Sequence, residues 1–205
     1  MKTKNIIFDL GVVILDVDYN LAADAFKKLG IPHFDELYSK KKQGSFFDDF
    51  ETGHLSNEEF RAEIRKHIPH AVTDDQIHEA WNAMLLSVPE STFELLENIG
   101  KQKRIFLLSN TNRIHITAFS KIIEKQYGFQ KFEALFEKTY YSCNVGMRKP
   151  NADIFDLVVR ENNLNISETL FIDDSPQHVE GARSYGLTAL HLQNNSKVED
   201  LVPLK

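Results

Sequence analysis

The chain has 205 residues, with 24 Lys and Arg against 30 Asp and Glu, a formal net charge of -6, 42% hydrophobic residues and 26% charged. That balance suits a globular protein with one good core and a small accessory domain, and it offers no basic surface to a nucleic acid. The single cysteine, Cys143, rules out an internal disulfide or a cysteine metal cluster and fits a reducing compartment. Asp9 interrupts the first apolar stretch, no small-residue cleavage site follows it, and no apolar run approaches membrane-spanning length. The reading is a cytoplasmic protein with no membrane partner.

In chain order, the first predicted strand is residues 4–9, which ends on Asp9 with Gly11 two places on. Residues 19–87 contain no convincing strand and read as helices: 19–29 closed by Gly30, 34–42, and 46–51. Two more are announced by the capping boxes Ser56-x-x-Glu59 and Thr73-x-x-Gln76. The run Lys40-Lys41-Lys42 reads as a solvated helix end, and Phe46, Phe47 and Trp81 as part of a small aromatic core.

From there helices and strands alternate. A helix over 89–99 begins at Pro89 and stops before Gly100; strands follow at 104–110 and 138–142. A helix over 151–162 precedes a strand at 169–174, and a helix over 176–185, opened by Pro176 and stopped before Gly186, precedes one at 187–192. The tail beyond Gln193 reads as loose surface chain. The strands are continuously apolar, as strands covered on both faces are. The expected fold class is α/β: a doubly wound parallel sheet formed by residues 1–17 and 88–205, with a small all-helical domain, 18–87, inserted after the first strand.

Open α/β sheets bind ligands at the carboxyl ends of their strands. Those ends carry Asp9, then Ser109-Asn110-Thr111-Asn112, then Asp173-Asp174, and Lys149 opens a helix in the same half of the chain. Any one of these could be a turn or a helix cap; their joint placement points to chemistry. Clustered carboxylates resist ionisation unless a cation lies among them, and a few hard oxygen ligands are what Mg2+ accepts. With such a cation and Lys149 nearby, Asp9 is a candidate nucleophile toward a phosphate held by Ser109 and by backbone N–H groups near Asn110.

In these residues the sequence resembles the haloacid dehalogenase superfamily of phosphatases over essentially its whole length. Asp9-Leu10-Gly11-Val12-Val13 resembles its first motif, Ser109 its second, Lys149 its third and Asp173-Asp174 its fourth. The resemblance implies an aspartyl-phosphate on Asp9, Mg2+ held by Asp9, the Gly11 carbonyl and Asp174, and Asp173 acting from behind these ligands. It also implies that the insert is a cap. The stretches "SNTNRIH", "GMRKP" and "DLGVVILDVD" are further similar to bacterial sugar-phosphate phosphatases of the α-glucose-1-phosphate type. The implied partner is a small phosphorylated substrate.

Gly11 departs from the superfamily pattern, which has a second aspartate there as general acid and base, a role worth ~10²–10⁴-fold in rate. Three readings stay open. Asp16 or Asp18 substitutes, although Asp18 also reads as the cap of the helix from Tyr19; or an anomeric phosphate needs less help in leaving; or the chain is a phosphate-binding or regulatory module. Dehalogenases of the superfamily also lack this aspartate but need no metal, which sets them against the pair Asp173-Asp174. His178, one helical turn past Asp174, reads either as a partner behind the metal carboxylates or as a plain surface histidine. Arg113 and Arg148, which flank the second and third motifs, are candidates for substrate oxygens or for structural ion pairs.

Overall fold

The structure, a computed structural model, describes residues 3–39, 42, 43, 45–193 and 196–201. The core begins with β1 (Asn5–Phe8). The insert follows as α1 (Tyr19–Lys28), α2 (Phe34–Leu37), β2 (Tyr38–Ser39), β3 (Lys42–Gln43), α3 (Ser45–Glu51), α4 (Asn57–Arg65) and α5 (Asp74–Asn82). The chain returns through α6 (Glu90–Gly100), β4 (Arg104–Ser109), α7 (Arg113–Gln126), α8 (Phe129–Glu133), β5 (Lys138–Tyr141) and α9 (Ser142–Val145). It ends with α10 (Ala152–Glu161), β6 (Thr169–Asp173), α11 (Pro176–Tyr185), β7 (Thr188–His191) and α12 (Val198–Leu201).

The five long strands form one parallel sheet in the order β5-β4-β1-β6-β7. Side chains alternate across a strand, so each strand feeds two cores. Ile6, Phe8, Ile105, Leu107 and Ile172 pack with Phe93, Leu96, Phe119 and Ile123 of α6 and α7. Ile7, Phe106, Leu108 and Phe171 pack with Ile154, Phe155 and Val158 of α10 and Val179 and Ala182 of α11. Two covered faces explain the continuous apolar runs. The strand order reverses about β1, so the ends of β1, β4 and β6 border one crevice.

The insert has a core of its own: Phe26, Phe34, Phe47, Phe50, Phe60, Ile64, Ile77 and Trp81, joined by Ile114 of α7. Phe50 stacks on Phe60 at 4.1 Å and Phe47 on Trp81 at 5.7 Å. Each such fully buried ring contributes roughly 2 kcal/mol of transfer free energy, enough to hold short helices that would be marginal alone. Both capping boxes form, with Ser56 and Thr73 accepting from Glu59 N and Gln76 N. Asp18 caps α1 by accepting from Asn20 N.

The structure corrects three expectations. The helix predicted over 34–42 ends at Leu37; Tyr38 is extended, pairs with Gln43, and packs its ring 4.8 Å from Phe47 and 4.9 Å from Trp81. The insert is therefore not all-helical, because aromatic packing at Tyr38 outweighs helix propensity there. Lys42 lies in that hairpin, while Lys40 and Lys41 fall outside the described residues. The tail is not loose throughout: Val198 is buried against the sheet's first core and Glu199 accepts from the Thr92 hydroxyl. Helix α7, capped by Asn112, had no explicit expectation beyond its capping stretch.

Gly181 sits in the interior of α11, where a Cβ would collide with the Pro150 carbonyl oxygen and lie 2.7 Å from the Pro150 Cβ. A glycine in a helix interior ordinarily costs about 1 kcal/mol relative to alanine. Here Gly181→Ala is expected to lower stability by about 1–3 kcal/mol, read as a lower urea midpoint at unchanged m-value.

Candidate active site

Asp9 follows β1 directly, and its N–H donates to Ile172 O at 2.9 Å, which ties it to the end of β6. Lys149 arrives from the loop before α10 and is fully buried. Its ammonium donates to Asp9 Oδ1 at 2.7 Å, Asp173 Oδ2 at 2.7 Å and Leu108 O at 2.9 Å, a full set for a group with three protons. Lys149 therefore serves the site through its charge and by fixing Asp9.

The Lys149 backbone is clasped in turn. Asn110 Nδ2 donates to Lys149 O at 2.9 Å and Asn110 Oδ1 accepts from Lys149 N at 3.0 Å. The Asn110 side chain is thus committed to positioning Lys149, which leaves the expectation of backbone N–H groups near Asn110 for the phosphate untouched. Ser109 is buried and lines the cavity beside it.

Asp173 is completely buried. One oxygen accepts from Ser175 N at 2.7 Å, and His178 Nδ1 lies 3.1 Å from both. His178 Nε2 lies 3.5 Å from Asn110 Nδ2, so His178 bridges two motifs. Burial pushes the Asp173 carboxyl up, but the Lys149 charge and the His178 hydrogen bond outweigh it and hold the group well below the usual range. The opposite balance governs Asp9. Burial, opposed by Lys149 and reinforced by the charges of Asp173 and Asp174, raises it to about 7.

Two carboxylates thus share one ammonium, and oxygens of Asp9, Asp173 and Asp174 lie within 4.8 Å of one another. Asp173 is occupied by Lys149, Ser175 and His178, which leaves Asp9 and the half-buried Asp174 as the side chains a cation would meet. Excess negative charge and hard oxygen donors fit a small divalent ion.

Gly11 also borders the cavity. Its own backbone needs no glycine: the left-handed residue of the loop is Val12, at φ 66°. A Cβ at Gly11 would meet only Val17 Cγ2, at 3.7 Å.

The partly enclosed cavity, about 130 Å³, runs between the sheet ends and the insert. Asp16 and Asp18 do not border it: Asp18 caps α1, and Asp16 is exposed, with Lys197 and Glu199 as its charged neighbours. Neither is placed to substitute for the absent aspartate. Arg113 is the exposed first residue of α7 and also lies outside the lining.

Arg148 does border it, and reaches the insert, with Nη1 2.9 Å from Asp48 Oδ1 and Nη2 2.9 Å from Glu51 Oε2. The Ser142 hydroxyl adds a second tie, accepting from Thr111 N at 2.9 Å and lying 2.6 Å from Glu51 O. Phe47 and Trp81 belong to the insert's core, Phe46 packs against it, and none of the three lines the cavity. Sequence reasoning missed Tyr19, Tyr38, Glu51 and His115, which all line it. No local motif marks them, because what unites them is the docking of the insert.

Residues 3–186 match the sequence profile of the haloacid dehalogenase-like hydrolases. The chain belongs to that family. This hydrolase is 30% identical over 193 residues to D-ribitol-5-phosphate phosphatase of Bacteroides thetaiotaomicron, across 94% of this chain and 93% of that protein. A family enzyme of the same organism, solved as an aspartate-to-alanine variant with magnesium and inorganic phosphate, superposes with a TM-score of 0.90. It is 32% identical, over 97% of this chain and 98% of that one. A HAD-like family hydrolase from Porphyromonas gingivalis gives a TM-score of 0.86 at 29% identity, over 100% of both chains.

His115 joins the hydrolase core to the insert: its ring stacks on Trp81 at 4.6 Å and its Nε2 lies 3.2 Å from Trp81 O. Burial lowers its pKa from 6.5 to about 4, with the hydrogen bond to Trp81 O opposing. Its contribution to stability is complete above pH 6.5 and is lost as pH falls toward 4, by up to about 3 kcal/mol. Urea unfolding of wild type and His115→Gln at pH 7, 5.5 and 4 should show the wild-type advantage shrinking by about that amount.

Proposed function

We propose that this chain is a Mg2+-dependent phosphatase that hydrolyses a small phosphomonoester, a sugar or polyol phosphate, through an aspartyl-phosphate on Asp9. The observation that carries the reading is the buried ammonium of Lys149, shared by Asp9 and Asp173 beside Ser109 and Asp174. The relatives named as a ribitol-phosphate phosphatase and as a complex with magnesium and inorganic phosphate support it.

Asp9, the Gly11 carbonyl and Asp174 would hold the ion, which supplies a Lewis acid that neutralises phosphate charge and keeps Asp9 ionised. Lys149 fixes Asp9 so that its carboxylate meets the phosphorus in line, forming the O–P bond as the ester oxygen leaves. Asp173, held by His178 and Ser175 N, keeps Lys149 charged and in place. The Ser109 hydroxyl offers the phosphate a donor. Water then attacks the phosphorus of the intermediate, which returns Asp9 and releases inorganic phosphate.

The preferred leaving group is a hydroxylated carbon chain. An anomeric sugar phosphate such as α-glucose 1-phosphate is favoured by the glycine at 11, since its leaving group needs less protonation; a polyol phosphate is favoured by the ribitol-phosphate relative. In a phosphate-release assay over both kinds of ester, Asp9→Asn is expected to lose activity by about 10⁴-fold or more, with its melting temperature retained. Chelator should abolish wild-type release, and added Mg2+ should restore it. Turnover that persists in Asp9→Asn refutes the aspartyl-phosphate route.

A further inference from the structure

We infer that Glu51, held in place by Arg148, selects the leaving group by accepting hydrogen bonds from the hydroxyls of a sugar or polyol phosphate. This rests on the phosphatase reading above and names a residue that gives the enzyme its substrate class.

The cavity lining divides by chemistry. The sheet ends supply Asp9, Ser109 and Asp174, the groups suited to a phosphate and its cation, whereas the insert supplies Tyr19, Tyr38 and Glu51. Glu51 is the one acid in that lining apart from Asp9 and Asp174. A carboxylate repels a phosphate, so Glu51 has no favourable place against the phosphoryl group. Its natural partner is the part of the substrate that donates hydrogen bonds.

Burial sharpens the choice. The Glu51 side chain is 8% exposed. An alkyl chain laid over it would bury the carboxylate further and return no hydrogen bond, whereas a hydroxyl donates one. Sites built to hydrogen-bond a hydroxyl discriminate strongly against analogues without one.

Glu51 is also fixed before any substrate arrives. The Arg148 guanidinium spans Asp48 and Glu51, which lie about one turn apart on α3, at 2.9 Å each. The Glu51 carbonyl lies 2.6 Å from the Ser142 hydroxyl of the core. A carboxylate located through both its backbone and its side chain loses little further freedom on binding, which makes it a good reader of hydroxyl positions.

The test compares kcat and KM for wild type, Glu51→Gln, Glu51→Asp and Asp48→Asn with Mg2+ present. The substrates are ribitol 5-phosphate, α-glucose 1-phosphate and n-pentyl phosphate, the last keeping an alkyl chain without hydroxyls. Glu51→Gln is expected to raise KM about tenfold or more for the better hydroxylated ester, with kcat changed less than about threefold. Its preference for that ester over n-pentyl phosphate, as a ratio of kcat/KM, should fall by at least that factor.

Glu51→Asp, which keeps the charge and shortens its reach, should fall between the two and covers the case in which Glu51→Gln does not fold. Asp48→Asn loosens the Arg148 anchor without altering the acceptor, so its preference should fall in the same direction as in Glu51→Gln and by less. Equal losses on hydroxylated and alkyl esters in both Glu51 variants would make Glu51 a docking strut and overturn the inference while the phosphatase reading stands. A wild type that releases phosphate from none of the three esters would instead overturn that reading and this assignment with it.

Discussion

The site depends on one buried ammonium. Lys149 has no exposed surface, and its three protons go to Asp9, Asp173 and the Leu108 carbonyl. Burying a charge is costly unless it is paired and fully hydrogen-bonded, and here each donor has a partner. The same bonds hold together the ends of β1, β4 and β6. Asn110 grips the Lys149 backbone and His178 grips Asp173, so neither end of the network is left to rotamer freedom. The network keeps Asp173 ionised, while Asp9 retains a raised pKa that a cation beside it would bring down.

The loop that delivers Lys149 also delivers Arg148, one residue earlier. The Lys149 side chain points to Asp9 and that of Arg148 to α3 of the insert, where it meets Asp48 and Glu51. Neighbouring residues of one loop thus tie the sheet ends together and join the insert to the core. On the other flank, His115 and Trp81 make an apolar and hydrogen-bonded joint of the same kind.

Much of this was legible from sequence where the cause is local. Continuous apolar runs revealed strands covered on both faces, because Ile6 and Phe8 feed one core and Ile7 the other. Ser56 and Thr73 announced their helices because a capping box is complete within four residues. Asp9, Ser109, Asp173 and Asp174 were legible because strand ends of a parallel sheet converge by topology alone, and Lys149 because it stands just ahead of a helix in the same half of the chain. What was not legible depends on how the insert sits on the core. Tyr38 was read as helical since its extended backbone is set by Phe47 and Trp81, distant in sequence. Arg148 was noticed, but its partners Asp48 and Glu51 lie about 100 residues away, and nothing near them in sequence says they face a core loop.

Gly11 shows why a missing group need not be a structural concession. The turn after β1 is held by Val12 N to Leu15 O and by Ile14 N and Leu15 N to Leu10 O, and its unfavourable backbone angle falls on Val12. The glycine stands beside the strained residue and not at it, and a side chain beginning there would meet only an ordinary contact with Val17. Its effect is therefore chemical. A second aspartate there would add a fourth carboxylate to a cluster that already has three against one ammonium, and would raise Asp9 further. Leaving it out keeps Asp9 easier to ionise and gives up a proton donor. Under the proposed route, that exchange suits a substrate whose leaving oxygen asks little of the enzyme, or one whose own hydroxyls are well enough held to help.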